Sequence, residues 1–267
     1  MRWRRMGAIM LRQFYILRGS FSRVLPLFTW VGIDIVLWGF ISRYLNSVAT
    51  PGFNFVPRLL GAVLLWDFLS RVMQGVTMAF FEDVWSRNFL NVFATPITVG
   101  EYVAGLVAWS VLTSAIGLIV MMGVATVVFG LSFASYGWTL LPYLMILFLF
   151  GIALGIFASA AVLRLGPAAE WFVWPIPAVL SPFAGVFYPL ATLPAWMRGI
   201  GRLIPASYVF EGMRGALSGR GASAMLLGWG LVLSIAYVLL ASLFFSAVFR
   251  YAVRTGLMAR YSAESVS

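Results

Sequence analysis

The chain has 267 residues, 62% of them hydrophobic and only 10% charged, with a mean hydropathy of +0.98 and a formal net charge of +10. A soluble domain carries roughly 25% charged residues, so this composition excludes an ordinary water-soluble fold and implies an integral membrane protein. Cysteine and histidine are absent and all eighteen basic residues are arginine. These absences remove disulfides, thiolate or imidazole metal sites, Ser-His or Cys-His nucleophilic pairs, and any P-loop lysine for a nucleotide phosphate.

The first segment, residues 1–23, begins MRWRRMGAIMLRQFYILRGSF. Trp3, Met6, Met10, Phe14, Leu17 and Phe21 recur at helical intervals with the arginines mostly elsewhere on the wheel. That pattern predicts an amphipathic helix in the headgroup plane, apolar face down, with membrane lipid as its partner. The start runs into a long span, so no cleavable signal peptide is expected.

A membrane-crossing helix needs about 20 mainly apolar residues, and six runs qualify: Val24–Leu45, Pro57–Phe81, Tyr102–Phe129, Trp138–Leu163, Trp171–Leu190 and Ala224–Phe249. None shows the short alternating pattern of a membrane barrel. The expected fold is all-α with six transmembrane helices in one domain, residues 1–267. Arginine concentrates before the first span, whereas NSVATPGFN between the first two carries no charge. The N-terminus is therefore assigned to the cytoplasm, and six crossings return the C-terminus, with Arg250, Arg254 and Arg260, to that side. This topology accounts for the positive charge, so no nucleic-acid partner is expected.

Asp34 lies near the middle of the first span, and Asp67 and Arg71 near the middle of the second. Charge at the bilayer centre costs about 2.5–3.5 kcal/mol on insertion scales, so the three are expected to form one intramembrane cluster. An ion-pair staple and a polar pathway satisfy that requirement equally.

Between the second and third spans stands FEDVWSRNFLNVFATPITVGEY, residues 81–102. Trp85, Phe89, Val92 and Phe93 share one helical face, opposite Asp83, Arg87 and Asn91, which predicts a short amphipathic helix over 82–93. Pro96 ends it, and Thr98 with Glu101 forms a capping box for the next helix. A surface helix of this kind serves either as an anchor or as a handle for a soluble partner. In the fourth span Gly151, Gly155 and Ser159 form a small-residue ridge suited to close helix packing.

The fifth span is rich in proline and is followed by residues 189–218, which carry arginine although the count of crossings places them outside. PAWMRGIGRLI and ASYVFEGMRGAL read as two short amphipathic helices separated at Pro205. A re-entrant pair buried in protein and an ordinary external loop both fit.

Together these features resemble the membrane subunit of type-2 ABC exporters: a six-span chain, a basic amphipathic N-terminal helix, E-x-x-W…T-P-I-T-x-x-E after span two, and SPFAGVFYPLATLPAWMRGIGRLIPASYVFEGMR after span five. Leu193-Pro194, Pro205, Tyr208 and Arg214 keep that family's spacing, while Ala184 and Ala206 depart from its usual residues. The resemblance implies a transport subunit with no ATPase site or cofactor of its own. It implies a homodimer, or a heterodimer with a similar chain, in the inner membrane on two copies of a separate ATPase that holds ATP and Mg. The loop after span two would be the coupling helix, with Glu82, Asp83, Trp85, Arg87, Asn88 and Pro96 meeting the ATPase. The external gate would comprise Pro182, Gly185, Pro189, Pro194, Pro205, Tyr208, Glu211 and Arg214. The alternative is a proton-coupled secondary transporter using Asp34 and Asp67, which lacks the expected inverted repeat. A lipid, a drug and a lipid-linked glycan fit the aromatic spans equally as cargo.

Overall fold

Backbone N–H and C=O groups in hydrocarbon must find partners within their own segment, and helix is the only extended secondary structure among the described residues. The computed structural model describes residues 3–19, 21–48, 54–86, 89–219 and 223–257. In chain order the helices are α1 (Trp3–Arg18), α2 (Phe21–Val48), α3 (Gly61–Trp85), α4 (Phe89–Ala94), α5 (Val99–Phe129), α6 (Leu140–Leu165), α7 (Glu170–Val173), α8 (Ile176–Ala184), α9 (Ala195–Gly201), α10 (Pro205–Leu217) and α11 (Ala224–Arg254).

Four helical stretches among the described residues are long and apolar enough to cross a membrane: Val56–Trp85, Val99–Phe129, Tyr136–Leu165 and Ala224–Arg254. The stretches containing α3 and α6 are mostly buried within the protein, whereas α5 and α11 turn most of their surface outward. α6 packs between α3 and α11, and α5 covers the other side of α3. The small-residue ridge explains the close approach of α3 and α6. A Cβ on Gly155 would lie 2.7 Å from that of Val76, and one on Gly151 would lie 2.8 Å from that of Val72.

Two sequence expectations change here. The run Trp171–Leu190 does not make one full-length helix: α7 of 4 residues and α8 of 9 meet at a kink through Trp174 and Pro175, and α8 stops at Ala184. At 1.5 Å per residue α8 extends roughly 13.5 Å, under half of a hydrocarbon core of about 30 Å. Pro175 and Pro177 interrupt the donor ladder at the junction, and Gly185, at φ +62°, terminates α8 in the left-handed region. The segment 82–93 is likewise not one helix: Glu82–Trp85 is the last turn of α3, and α4 begins at Phe89. Phe80 and Phe81 are fully buried and Val84 nearly so, which holds this turn in register with the apolar helix before it.

Candidate functional site

The end of α3 is held by charge. Asp83 is completely buried, forms an ion pair with Arg12 of α1, and accepts a hydrogen bond from the Tyr102 hydroxyl of α5 at 2.7 Å. Toward the start of α1, Arg5 pairs with Glu101 at 3.0 Å, and the Gln13 amide donates to the Ala79 carbonyl at 3.1 Å. Burying a carboxylate is costly unless it is paired and hydrogen-bonded. Arg12 and Tyr102 meet that requirement from two other helices, so Asp83 latches α1, α3 and α5 together.

α1 can come this close because Gly105 leaves room: a Cβ there would fall 2.9 Å from Ile9. The contact gives this helix an inward side that the wheel did not assign. Its inward face carries Arg5, Ile9, Arg12 and Gln13, while Trp3, Leu11, Phe14 and Tyr15 are exposed beside Arg4 and Arg18. Two interior acids on α3 and α5 fix which side of α1 faces the protein, because a buried carboxylate is costly unless it is paired.

The turn into α5 has both halves of its capping box. Thr98 Oγ1 accepts from the Glu101 N–H at 3.3 Å, and Glu101 Oε2 accepts from the Thr98 N–H at 3.1 Å. Glu101 therefore caps its own helix while also holding Arg5. Phe93 of α4 packs against Tyr102 of α5 and Phe249 of α11, with ring centroids 5.0 and 4.7 Å apart. Trp85, about half exposed, donates its indole N–H to Glu170 at 3.2 Å, tying the end of α3 to the start of α7. Glu82 is half-buried and Pro96 exposed, whereas Arg87 and Asn88 lie outside the described residues. Asp83, expected on a solvent-facing side, instead points inward. Sequence reasoning alone misses Arg5, Arg12, Gln13, Tyr102 and Glu170. The one available signal is an acid in the last turn of an otherwise apolar helix, which requires a cationic partner somewhere in the chain.

On α2 and α3, Asp34, Asp67 and Arg71 lie close enough to act on one another electrostatically. Arg71 extends toward α5, where a Cβ on Gly117 would lie 3.3 Å from its Nη1. Asp67 Oδ2 is buried with no hydrogen-bond partner among the described residues. α2 and α3 thus bring the three predicted charges into one region, and α5 supplies the small residue that admits the guanidinium.

The opposite end is knitted by bonds local in sequence. Arg214 of α10 donates to the Gly185 carbonyl at 2.9 Å and pairs with Glu211 at 2.9 Å, and Glu211 accepts from the Leu190 N–H at 2.6 Å. Tyr188 donates to the Pro182 carbonyl and Tyr208 to the Arg202 carbonyl, each at 2.8 Å. Gly201 sits so close that a Cβ would lie 2.6 Å from the Phe183 carbonyl oxygen. Pro194 precedes α9 and buried Pro205 begins α10, while Pro189 precedes the single helical turn Leu190–Thr192. All eight residues expected at this end lie in or beside the α8–α10 hairpin.

The sequence profile of ABC-2 type transporters matches residues 6–218. This chain belongs to the ABC-2 type transporter family. The matched region starts within α1 and ends one residue after α10, so it contains both the Asp83 latch and the α8–α10 hairpin. Among curated relatives, this ABC-2 chain is 26% identical to the inner membrane transport permease YadH of Escherichia coli strain K12 over 170 residues, which are 61% of this chain and 63% of that protein. It is also 26% identical to nodulation protein J of Sinorhizobium fredii strain NBRC 101917 / NGR234 over 165 residues, 60% of each chain. Each match therefore spans about three fifths of the relative's own length. Family and helices together make this ABC-2 chain a multi-pass membrane protein.

Proposed function

We propose that this chain is the membrane subunit of an ATP-driven exporter, six-spanning and dimeric, resident in the inner membrane with both termini cytoplasmic. The observation that carries the reading is the ABC-2 match over residues 6–218, because it includes the latched turn at one end and the hairpin at the other. α2 supplies a further crossing and the α7–α8 pair a broken one. The partner is a separate ATPase that holds ATP and Mg, and the dimer is formed with a second copy or a similar chain. Ile33, Val36, Leu37 and Phe40 give α2 an exposed apolar face that suits the second subunit or the cargo path.

Residues 82–96 form the coupling region in this proposal, with a division of labour. Trp85, Arg87, Asn88 and Pro96 meet the ATPase, while Asp83 works from inside by holding α1 and α5 to the moving turn. Movement reaches α7 through the Trp85–Glu170 bond and is transmitted toward the α8–α10 gate. Co-expression with a candidate ATPase tests the whole reading. The two should co-purify and hydrolyse ATP in a vanadate-sensitive manner, and Pro96→Ala with Trp85→Ala should weaken co-purification. Transport that follows a pH gradient alone, with no ATPase present, would overturn it.

A further inference from the structure

A pocket of about 320 Å³ opens between the ends of α2, α3 and α5 that lie farthest from α1, beyond the latch, the charge cluster and the gate. Arg43, Asn46, Asn54, Phe129, Gly130 and Ser132 contribute to its wall. Phe129 makes a fixed floor: its ring occupies the place a side chain on Gly39 would take, and the Arg43 guanidinium lies 5.1 Å from its centroid.

The hydrogen bonds within the wall consume acceptors and leave donors. Asn46 Oδ1 accepts from the Phe55 N–H at 2.7 Å, and Asn54 Oδ1 accepts from the Val56 N–H at 3.0 Å and from Asn46 Nδ2 at 3.1 Å. The Val128 carbonyl accepts from Arg43. Among the described residues no further bond uses the remaining guanidinium N–H groups, the Asn54 amide nitrogen or the Ser132 hydroxyl. Arg43 forms no ion pair among the described residues. A pocket that presents a cation and neutral donors, with both of its asparagine side-chain oxygens already accepting, is complementary to an anion.

Depth narrows the choice of anion. Arg43 follows Asp34 by nine residues on α2, about 13.5 Å along a helix. Asp34 is close to the midpoint of Phe21–Val48, and half of the hydrocarbon core is about 15 Å. The guanidinium therefore reaches the level of the lipid phosphates. At that level Arg43 has no acidic partner among the described residues, which leaves its charge open to an anionic ligand.

We propose that this pocket binds a phosphate ester, specifically the headgroup phosphate of a phospholipid in the leaflet opposite α1. The placement rests on α2, α3 and α5 crossing the membrane, as in the proposed function, but not on export or on an ATPase. The test is native mass spectrometry of the purified full-length chain in detergent, titrated with phosphatidylglycerol and, separately, with glycerol 3-phosphate. Wild type should retain phosphatidylglycerol, and Arg43→Gln should bind it about five- to tenfold more weakly. Arg43→Lys should keep most of the binding, because it keeps the charge. Equal retention by wild type and Arg43→Gln overturns the proposal. Glycerol 3-phosphate binding as tightly as the lipid would support the phosphate site and reassign it to a soluble ester. Ser132→Glu provides an independent check that leaves Arg43 and its packing in place. It should expel the lipid, and unchanged retention would also overturn the proposal. The assay contains no ATPase, so failure of the exporter reading leaves its outcome unaffected.

Discussion

The two ends of this molecule are held together in different ways. At the latch, bonds join residues far apart in sequence: Arg5 with Glu101, Arg12 with Asp83, and Trp85 with Glu170. At the hairpin, nearly every bond falls between residues 182 and 214 and runs from a side chain to a nearby backbone group. The latch is therefore a tertiary construction in which α1, α3, α5 and α7 must all be in place. The hairpin is a local one that can keep its shape while the body of the protein moves.

This difference predicts where damage will spread. Asp83→Ala should have the largest effect, about 3–5 kcal/mol, because it leaves Arg12 without its partner and Tyr102 without its acceptor inside the protein. Thermal unfolding in detergent should show a single large drop in midpoint, and much of the loss should return in the double variant Asp83→Leu with Arg12→Met. An unchanged midpoint would mean that the latch does not hold the helices.

Arg214→Ala removes donors from the Gly185 carbonyl and Glu211, at a cost of about 1.5–3 kcal/mol. Here hydrogen exchange should rise over residues 183–193 while α3 and α5 stay protected. Faster exchange in α3 would break the proposed independence of the two ends. Thr98→Ala should cost about 1 kcal/mol by removing one half of the cap, with exchange rising in the first turn of α5 and at its contact with α1. Glu170→Ala, which removes the acceptor for the Trp85 and Trp174 indoles, should produce the smallest change in stability, under about 1 kcal/mol for partly exposed bonds. Its informative readout is functional: with the ATPase present, vanadate-sensitive hydrolysis should continue while transport falls. If both stay intact, Trp85 and Glu170 do not form the route to α7.

The hairpin is largely legible in the amino-acid sequence. Pro194 and Pro205 mark helix starts because a missing N–H costs nothing there, and the spacing of Trp196, Ile200 and Leu203 shows an amphipathic turn. The Thr98 to Glu101 cap is legible for the same reason, since both of its bonds lie within four residues. The latch is not. The wheel of α1 separates its apolar side chains from most of its arginines, but periodicity records polarity without recording which acids await inside. Arg12 and Asp83 are far apart along the chain, and nothing near either residue names the other. The early end of the fifth run at Gly185 is also hidden, since the apolar run continues past it to Leu190.

What the sequence by itself determined is the class of solvent and the form of the backbone. With only 10% charged residues and long apolar runs, the chain belongs in a membrane, and hydrocarbon admits these runs only as helices. Its local punctuation also set the cap at Thr98 and the helix starts of the hairpin. Only the tertiary structure decided which charges meet, which face of α1 turns inward, and which donors remain unused around Arg43. The reason is physical: helix and capping bonds are formed within one short segment, whereas the partner of a buried charge is settled by whichever segments pack beside it.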